Sequence, residues 1–304
     1  MEKVKLRTKE KLIAKKIFFT FHFSLFTFLF VFSGCSSAPR QTGEVFTDRN
    51  MAADLLNLAN QTANHGRYED ALVILEGARR LAISTDDPSL RVSTSTSRGN
   101  FLFYLGRHEE AFAEWENASI EGDVFGEASL AALARIYSIR ARIMLLAAEL
   151  TPNAVVEELI AQLNREMVLV RADAISVAAG FITLGLAERQ LGRWTEAERE
   201  LRRALDIHTR NNNLEDAAYC WFLIASVRSL AGNYEASLEA LRTAIRFDRR
   251  AENGFGLASS WQAMGDVYQK AGRIEESRTA QRRAAEIYRA IGLIELAEVL
   301  EKEL

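Results

Sequence analysis

Small and turn-forming residues recur along the chain at regular intervals. Glycine at positions 66, 106, 192, 232 and 272 is followed five residues later by alanine or serine, and alanine lies seven positions beyond that in every copy. The intervals 66 to 106, 192 to 232 and 232 to 272 are each forty residues. Apolar residues around each glycine follow a helical spacing. The pattern predicts repeated pairs of helices joined at glycine, which tolerates the positive φ that ends a helix.

The most regular copy runs from Trp261 to Ala284. Trp261, Met264, Gly265 and Tyr268 have the spacing W-x2-[hydrophobic]-G-x2-Y. This order of large and small residues resembles the tetratricopeptide repeat, a helix-turn-helix unit of about thirty-four residues. The resemblance implies an all-α fold, a right-handed superhelical solenoid of antiparallel helix pairs. We expect the additional length to lie in longer helices and in loose connections between repeats, for example at residues 209–213.

One unit departs from the period. The interval from Gly106 to Gly192 is 86 residues, about two periods. We predict a degenerate unit here, with a first helix continuing to about Leu150, Thr151-Pro152 at the start of the second helix, and that helix ending near Met167. A bend or an enlarged pocket is expected in this unit. Residues 294–303 predict a cap helix, so residues 50–304 should form about six helix pairs and a cap.

The N-terminus has the layout of an export signal. Seven lysines and arginines precede position 17, and the apolar run 17–31 contains seven phenylalanines. The run from Phe32 to Cys35 is similar to the bacterial lipobox, which implies a lipid anchor, with palmitate, at Cys35. We predict a signal peptide over 1–34 and a flexible tether over 35–49. The alternative, an uncleaved signal anchor, is disfavoured because the run is short for a membrane span and contains His22.

The lipoprotein resemblance also implies a cellular location. Ser36 stands where an aspartate retains such proteins at the inner membrane of well-studied Gram-negative cells. We therefore expect a lipid-anchored protein of the outer membrane that faces the periplasm. This rule does not hold in every lineage, so the choice between inner and outer membrane stays open.

Composition and motifs argue against an enzyme. The chain is 48% hydrophobic and contains three prolines. Its formal charge of −3 does not indicate the basic surface that nucleic-acid binding requires. It contains no H-E-x-x-H, phosphate-binding loop or G-x-G-x-x-G sequence. We expect His65, His108 and His208 to be exposed turn residues, with no metal or cofactor. Cys220 should pack as a small apolar residue.

Binding is the better candidate. Tetratricopeptide arrays hold peptides along the concave surface formed by the first helix of each pair. By register, the resemblance implies a groove that includes Asn60, Asn100, Phe103, Tyr104, Ile182, Leu186, Arg189, Tyr219, Phe222, Gln262 and Asp266. The two asparagines occupy equivalent positions and could hydrogen-bond an extended peptide backbone, or could simply be exposed. The aromatic residues could face the groove or pack against a neighbouring helix.

The predicted function is a membrane-anchored scaffold for protein–protein interaction, with a protein or peptide as partner. Two alternatives remain open at this point. The chain could be a lipoprotein component of an outer-membrane assembly complex, or it could deliver a small apolar ligand to a transporter, which would require an enclosed cavity in the irregular unit. The sequence does not determine the partner's identity or the oligomeric state.

Overall fold

The computed structural model describes residues 46–146 and 152–302, and within these ranges the chain is helical throughout. The signal peptide, Cys35 and Thr151 lie outside the described residues. Six antiparallel helix pairs are followed by a single helix. The helices are α1 Thr47–Asn64, α2 Tyr68–Ser84, α3 Pro88–Tyr104, α4 His108–Phe125, α5 Ala128–Leu146, α6 Asn153–Leu169, α7 Ala174–Gln190, α8 Trp194–Arg210, α9 Leu214–Leu230, α10 Tyr234–Ala251, α11 Gly254–Lys270, α12 Ile274–Ala290 and α13 Ile294–Lys302.

The forty-residue period arises from the lengths of the helices. In α8 and α9, two seventeen-residue helices alternate with three-residue turns. The residues Thr209 and Arg210 are the last turn of α8, so the expected loose connection is wrong and the additional length is all helical. The connection between these two pairs turns at Asn212, whose φ is +55°. Asparagine adopts this left-handed conformation more readily than most residues.

Each predicted turn glycine has the expected conformation. The φ angles of the glycines at positions 66, 106, 192, 232 and 272 lie between +72° and +79°. The helix that follows each of these turns begins with acidic residues in its first turn, such as Glu69 and Asp70 in α2. Their charge interacts favourably with the helix dipole. The helix-hairpin reading of the repeated pattern is therefore confirmed.

Helices within a pair touch where a small residue meets a large one. The small residue lies seven positions before the turn glycine and the large one nine positions after it. A Cβ atom on Gly185 would lie 2.7 Å from Cγ of Leu201, and one on Gly99 would lie 2.6 Å from Nε1 of Trp115. Real Cβ atoms do not approach so closely, so only glycine allows this packing.

The apolar core forms one large cluster in the middle and second half of the solenoid, with smaller clusters towards both ends, the C-terminal one around Tyr288. One cluster of buried residues extends from Ala132 in α5 to Ala280 in α12. Two smaller clusters hold the N-terminal hairpins, one centred on Leu75 and the other on Trp115. A repeat array buries each unit against its neighbours, which is how a chain of this length avoids a single large core.

The described part of the irregular unit is close to its prediction, and Leu150, the predicted end of its first helix, lies outside the described residues. α5 ends at Leu146 within the described residues, and α6 begins at Asn153 with Pro152 as its N-cap residue. Pro152 therefore precedes the helix, whereas the prediction placed it at the first helical position. Arg135 of α5 forms an ion pair with Glu166 of α6 at 2.7 Å. α1 begins at Thr47, inside the predicted tether. None of the described helices is long and apolar enough to cross a membrane.

Candidate functional site

The solenoid curves until its first pair meets its fifth and sixth. The side chain of Asn64, at the end of α1, donates a hydrogen bond to Glu215 in the first turn of α9 at 2.5 Å. Beside it, a Cβ atom on Gly66 would lie 2.7 Å from the ring of Phe255 in α11 and 3.1 Å from Leu293. These contacts join residues about 150 or more positions apart in sequence and close one side of the concave surface.

Beside this closure lies a partly open cavity of about 620 Å³. Its wall is formed mainly by the first helices of the six pairs, α1, α3, α5, α7, α9 and α11. Cavities of roughly 300–1,000 Å³ are typical of ligand sites. The cavity is therefore the main candidate site among the described residues.

Aromatic side chains cover much of the cavity wall. The rings of Tyr68 and Tyr104 stack with their centroids 5.1 Å apart, and those of Tyr219 and Phe222 stack at 6.4 Å. Burial raises the pKa of Tyr68 and of Tyr219, so both phenols are neutral at ordinary pH. Tyr137 adds a further ring from the irregular unit.

Most of the predicted groove residues lie on this wall. Asn60, Asn100, Phe103, Tyr104, Ile182, Tyr219 and Phe222 all line the cavity. Among the described residues, the side chain of Asn60 makes no hydrogen bond, whereas Oδ1 of Asn100 accepts one from Nε1 of Trp115 at 3.1 Å. The four aromatic residues line the cavity, and three of them also pack internally: Phe103 against the cluster around Trp115, and Tyr219 and Phe222 against the continuous core.

Four predicted groove residues lie elsewhere. Leu186 is 3% exposed and belongs to the continuous core. Arg189 donates to Oγ of Ser226 at 3.1 Å, and burial lowers its pKa. Gln262 accepts a hydrogen bond from the hydroxyl of Tyr288 at 3.2 Å. Asp266 lines a second, smaller cavity of about 200 Å³ between α9 and α11. The repeat register does not show whether these residues line the cavity, because the helix face that borders the groove also contacts the neighbouring helices.

Polar groups collect where the second helices end and the first helices begin. His208 of α8, Glu215 and Asp216 of α9, and Asp248 of α10 all line the cavity. His208 is 3% exposed, so its predicted exposure is wrong. Burial lowers the pKa of His208, whereas it raises the pKa of Asp248 to about 7, against the hydrogen bond from Asn253. Among the described residues, no cluster of histidine, cysteine and carboxylate side chains could hold a metal ion.

Sequence reasoning missed this polar group and part of the aromatic wall. Tyr68 lies at the start of α2 and Asp248 near the end of α10, and both are second helices, which the groove model excludes. One signal was available: Glu215 and Asp216 place acidic residues in the first turn of a first helix, where α3, α5, α7 and α11 have none. Cys220 is a free cysteine buried in the core, as expected.

Comparison with known proteins agrees with the fold. A tetratricopeptide-repeat family model matches residues 176–250 and 214–290, which correspond to α7 to α12. The structure of a Rap protein complexed with Competence and Sporulation Factor has a TM-score of 0.56 at 13% identity, covering 84% of this chain and 74% of that chain. No curated protein sequence matched the chain significantly.

Two further structures are similar at a lower level. PilW, a widely conserved type IV pilus biogenesis factor, has a TM-score of 0.47 at 14% identity, covering 82% of this chain and 97% of PilW. Aspartyl phosphate phosphatase F from Bacillus subtilis has a TM-score of 0.48 at 11% identity, with coverages of 84% and 70%. The family match, the repeated spacing and the observed helix pairs agree: residues 176–290 match the tetratricopeptide-repeat family, and the described helix pairs have the fold of a tetratricopeptide-repeat solenoid.

Proposed function

We propose that this protein is an interaction scaffold that holds a short segment of a partner protein in its concave cavity. The observation that carries the proposal is the closure of the first pair onto the fifth and sixth, which converts an open groove into a cavity of about 620 Å³. A space of this size suits a ligand or a few residues of peptide better than a folded domain.

The chemistry of the wall supports a peptide. Tyr104, Tyr219 and Phe222 offer apolar faces with little conformational freedom to lose on binding. The amide of Asn60 can both donate to and accept from a peptide backbone, and it has no partner among the described residues. The Rap structure of similar fold was solved in a complex with a second molecule, which is consistent with binding by this architecture. No catalytic arrangement is needed for this role.

Site-specific crosslinking tests the cavity. A photo-reactive amino acid at position 60 of the full chain should crosslink one defined segment of a partner in the cell, identified by mass spectrometry. The matched control is position 73, where Val73 on α2 is 76% exposed. Crosslinking of the same segment from position 73, or of no defined segment from position 60, would contradict the proposal.

A double substitution separates binding from folding. Tyr219→Ala together with Phe222→Ala removes two rings of the wall, and we expect the crosslink from position 60 to be lost. Both residues are only partly buried, so the thermal unfolding midpoint should stay high enough for a folded protein at growth temperature. An intact crosslink in this variant would exclude the aromatic wall as the binding surface.

We further propose that the scaffold is attached to the envelope membrane through Cys35. The support is the N-terminal sequence, in which a basic region and an apolar run precede the lipobox-like Phe32–Cys35. Two or three acyl chains would give stable attachment, since one alone is marginal. Labelled palmitate should be incorporated by the natural protein and not by Cys35→Ser. Equal labelling of the two would refute the anchor, and fractionation of the two membranes would test outer-membrane residence.

The irregular unit favours one alternative, delivery of a small apolar ligand. α5 contributes Leu130, Leu133, Ala141 and Met144 to the cavity wall, so this unit does border the cavity, which is partly open to solvent. Native mass spectrometry of the purified full chain distinguishes the two functions. A co-purifying lipid of constant mass would favour ligand delivery, whereas a crosslinked protein segment at position 60 favours the scaffold.

A further inference from the structure

One end of the cavity is acidic. It is formed by His208 near the end of α8, Glu215 and Asp216 in the first turn of α9, and Asp248 near the end of α10. We call these four residues the acidic end. The other charged side chain on the cavity wall is Arg140. Three carboxyl groups therefore face one guanidinium group within the same space.

Arg140 forms no ion pair with the acidic end among the described residues. Its guanidinium group donates to the carbonyl oxygen of Ala179 at 2.6 Å and to Oγ1 of Thr183 at 3.0 Å. It also lies 5.0 Å from the centroid of the Tyr137 ring. Its polar contacts are thus with neutral oxygen atoms, although its positive charge adds to burial in lowering the pKa of His208.

The acidic end presents acceptors in excess of donors. Asp216 accepts from Asn213 at 3.0 Å, Glu215 from Asn64, and Asp248 from Asn253 at 2.9 Å. A carboxylate has about four lone-pair positions, so each retains capacity for another donor.

His208 is a second, independent observation. Its side chain is 4% exposed, and neither ring nitrogen has a hydrogen-bond partner among the described residues, although Nδ1 lies 3.5 Å from Oδ2 of Asp216. Burial lowers its pKa, so the ring is neutral and offers one acceptor nitrogen. A buried polar group without a partner is costly, and a ligand donor would remove that cost.

The acidic first turn of α9 also has a structural role. Acidic residues in a first turn interact favourably with the helix dipole, and the second helices α2, α4, α8, α10 and α12 all have them. The first helices α3, α7 and α11 have none, and their N-cap side chains, Asp87, Asp173 and Asn253, accept hydrogen bonds from the helix instead. Asn213, the N-cap residue of α9, makes no such bond. Glu215 and Asp216 therefore help to stabilise α9, and the case for a ligand at the acidic end rests on His208 and on the spare acceptors.

We propose that the acidic end binds a positively charged side chain, lysine or arginine, carried by the segment that occupies the cavity. This inference rests on the proposed binding of a peptide segment. An ammonium group offers three donors and a guanidinium group five, which matches a site rich in acceptors. The tyrosine faces of the same cavity attract cations as well.

The environment of Asp248 should make binding at the acidic end depend on pH. The groups that face its carboxyl are Glu215 from α9, the N-cap residue Asn253, and Gly256 and Ser260 from α11. Burial and Glu215 raise the pKa of Asp248 to about 7, so it is partly protonated in the empty protein. A bound cation favours the ionised form and lowers this pKa. Binding should therefore be tighter above pH 7 than below it.

Three small probes of one shape test the inference. Benzamidinium, benzamide and benzoate differ mainly in charge, and their binding to the detergent-solubilised full chain can be measured by isothermal titration calorimetry. We expect benzamidinium to bind about tenfold or more tightly than either other probe, because charge-assisted hydrogen bonds are roughly twice as strong as neutral ones. Its affinity should fall about tenfold in Asp216→Asn. Asp70→Asn, at an exposed carboxylate of α2, should leave the affinity unchanged.

The results distinguish this inference from the proposed function. Equal binding of benzamide, preference for benzoate, or unchanged affinity in both Asp216→Asn and Glu215→Gln would overturn the inference. A crosslinked segment without lysine or arginine would also overturn it while leaving the peptide scaffold intact. Benzamidinium binding without any crosslinked segment would support the cation site and refute the scaffold. Glu215→Gln serves as the second variant if Asp216→Asn fails to fold.

Discussion

The hairpins from α7 to α12 and those from α1 to α4 follow the same forty-residue spacing but hold their cores differently. In the C-terminal half most buried apolar residues belong to one continuous cluster, with a smaller cluster around Tyr288 at the end, and the family model matches this half alone. In the N-terminal half the corresponding residues belong to two separate clusters. The difference indicates a division of roles. The regular half is the framework and carries the acidic end, whereas the N-terminal half supplies Tyr68 and Tyr104 and closes the cavity.

The largest expected effect comes from one substitution made in both halves. Leu75 and Leu201 lie at the same register position, nine residues after a turn glycine, and each is 1% exposed. Replacing either leucine with alanine should cost about 2–5 kcal/mol in unfolding free energy. Leu201→Ala should increase hydrogen exchange across α7 to α12, because that core is continuous. Leu75→Ala should increase exchange in the first hairpins only, and exchange spreading into α12 would show that the halves are not separate.

A second prediction concerns the pH dependence of stability in the C-terminal half, where Asp248 lies. The pKa of Asp248 is raised from 3.8 to about 7 by burial. The stability it contributes is full below its unfolded pKa near 4, and it is lost as pH rises through 7. Since each pKa unit is worth about 1.4 kcal/mol, Asp248→Asn should be more stable than the natural protein at pH 8 by up to about 4 kcal/mol.

Urea unfolding at pH 5 and pH 8 measures this difference. The advantage of Asp248→Asn should be larger at pH 8 than at pH 5. Asp54→Asn, at an exposed position of α1, should show no such dependence. If the difference between Asp248→Asn and the natural protein were the same at both pH values, Asp248 would not titrate as described.

The smallest expected effect tests the contact that closes the first pair onto the sixth. Gly66 and Gly106 have nearly equal φ angles, +77° and +76°. A Cβ atom would meet Phe255 at position 66, whereas at position 106 it would meet no atom within 4 Å. Both alanine substitutions strain the turn by about 1 kcal/mol. Gly66→Ala should lose roughly 1–3 kcal/mol more through overpacking and should enlarge the radius of gyration in small-angle scattering. An equal radius for Gly66→Ala and Gly106→Ala would argue against the closed form.

Local features of the site could be predicted, and distant ones could not. Seven of the eleven predicted groove residues lie on the cavity wall because the repeat register fixes which face of each first helix points inward. The contact of Asn64 with Glu215 joins residues 151 positions apart, and it depends on the accumulated curvature of several pairs. His208 has an ordinary helix-end sequence, and its burial follows only from the neighbouring start of α9.

The sequence by itself determined the repeating unit. Glycine at the turn, a small residue opposite a large one, and two helices of about seventeen residues follow from steric rules that act within one pair, so they can be read from neighbouring positions. The tertiary structure decided whether the array is an open groove or a closed cavity, and which carboxylates share it. These features depend on small rotations added from pair to pair, and no single repeat encodes that sum.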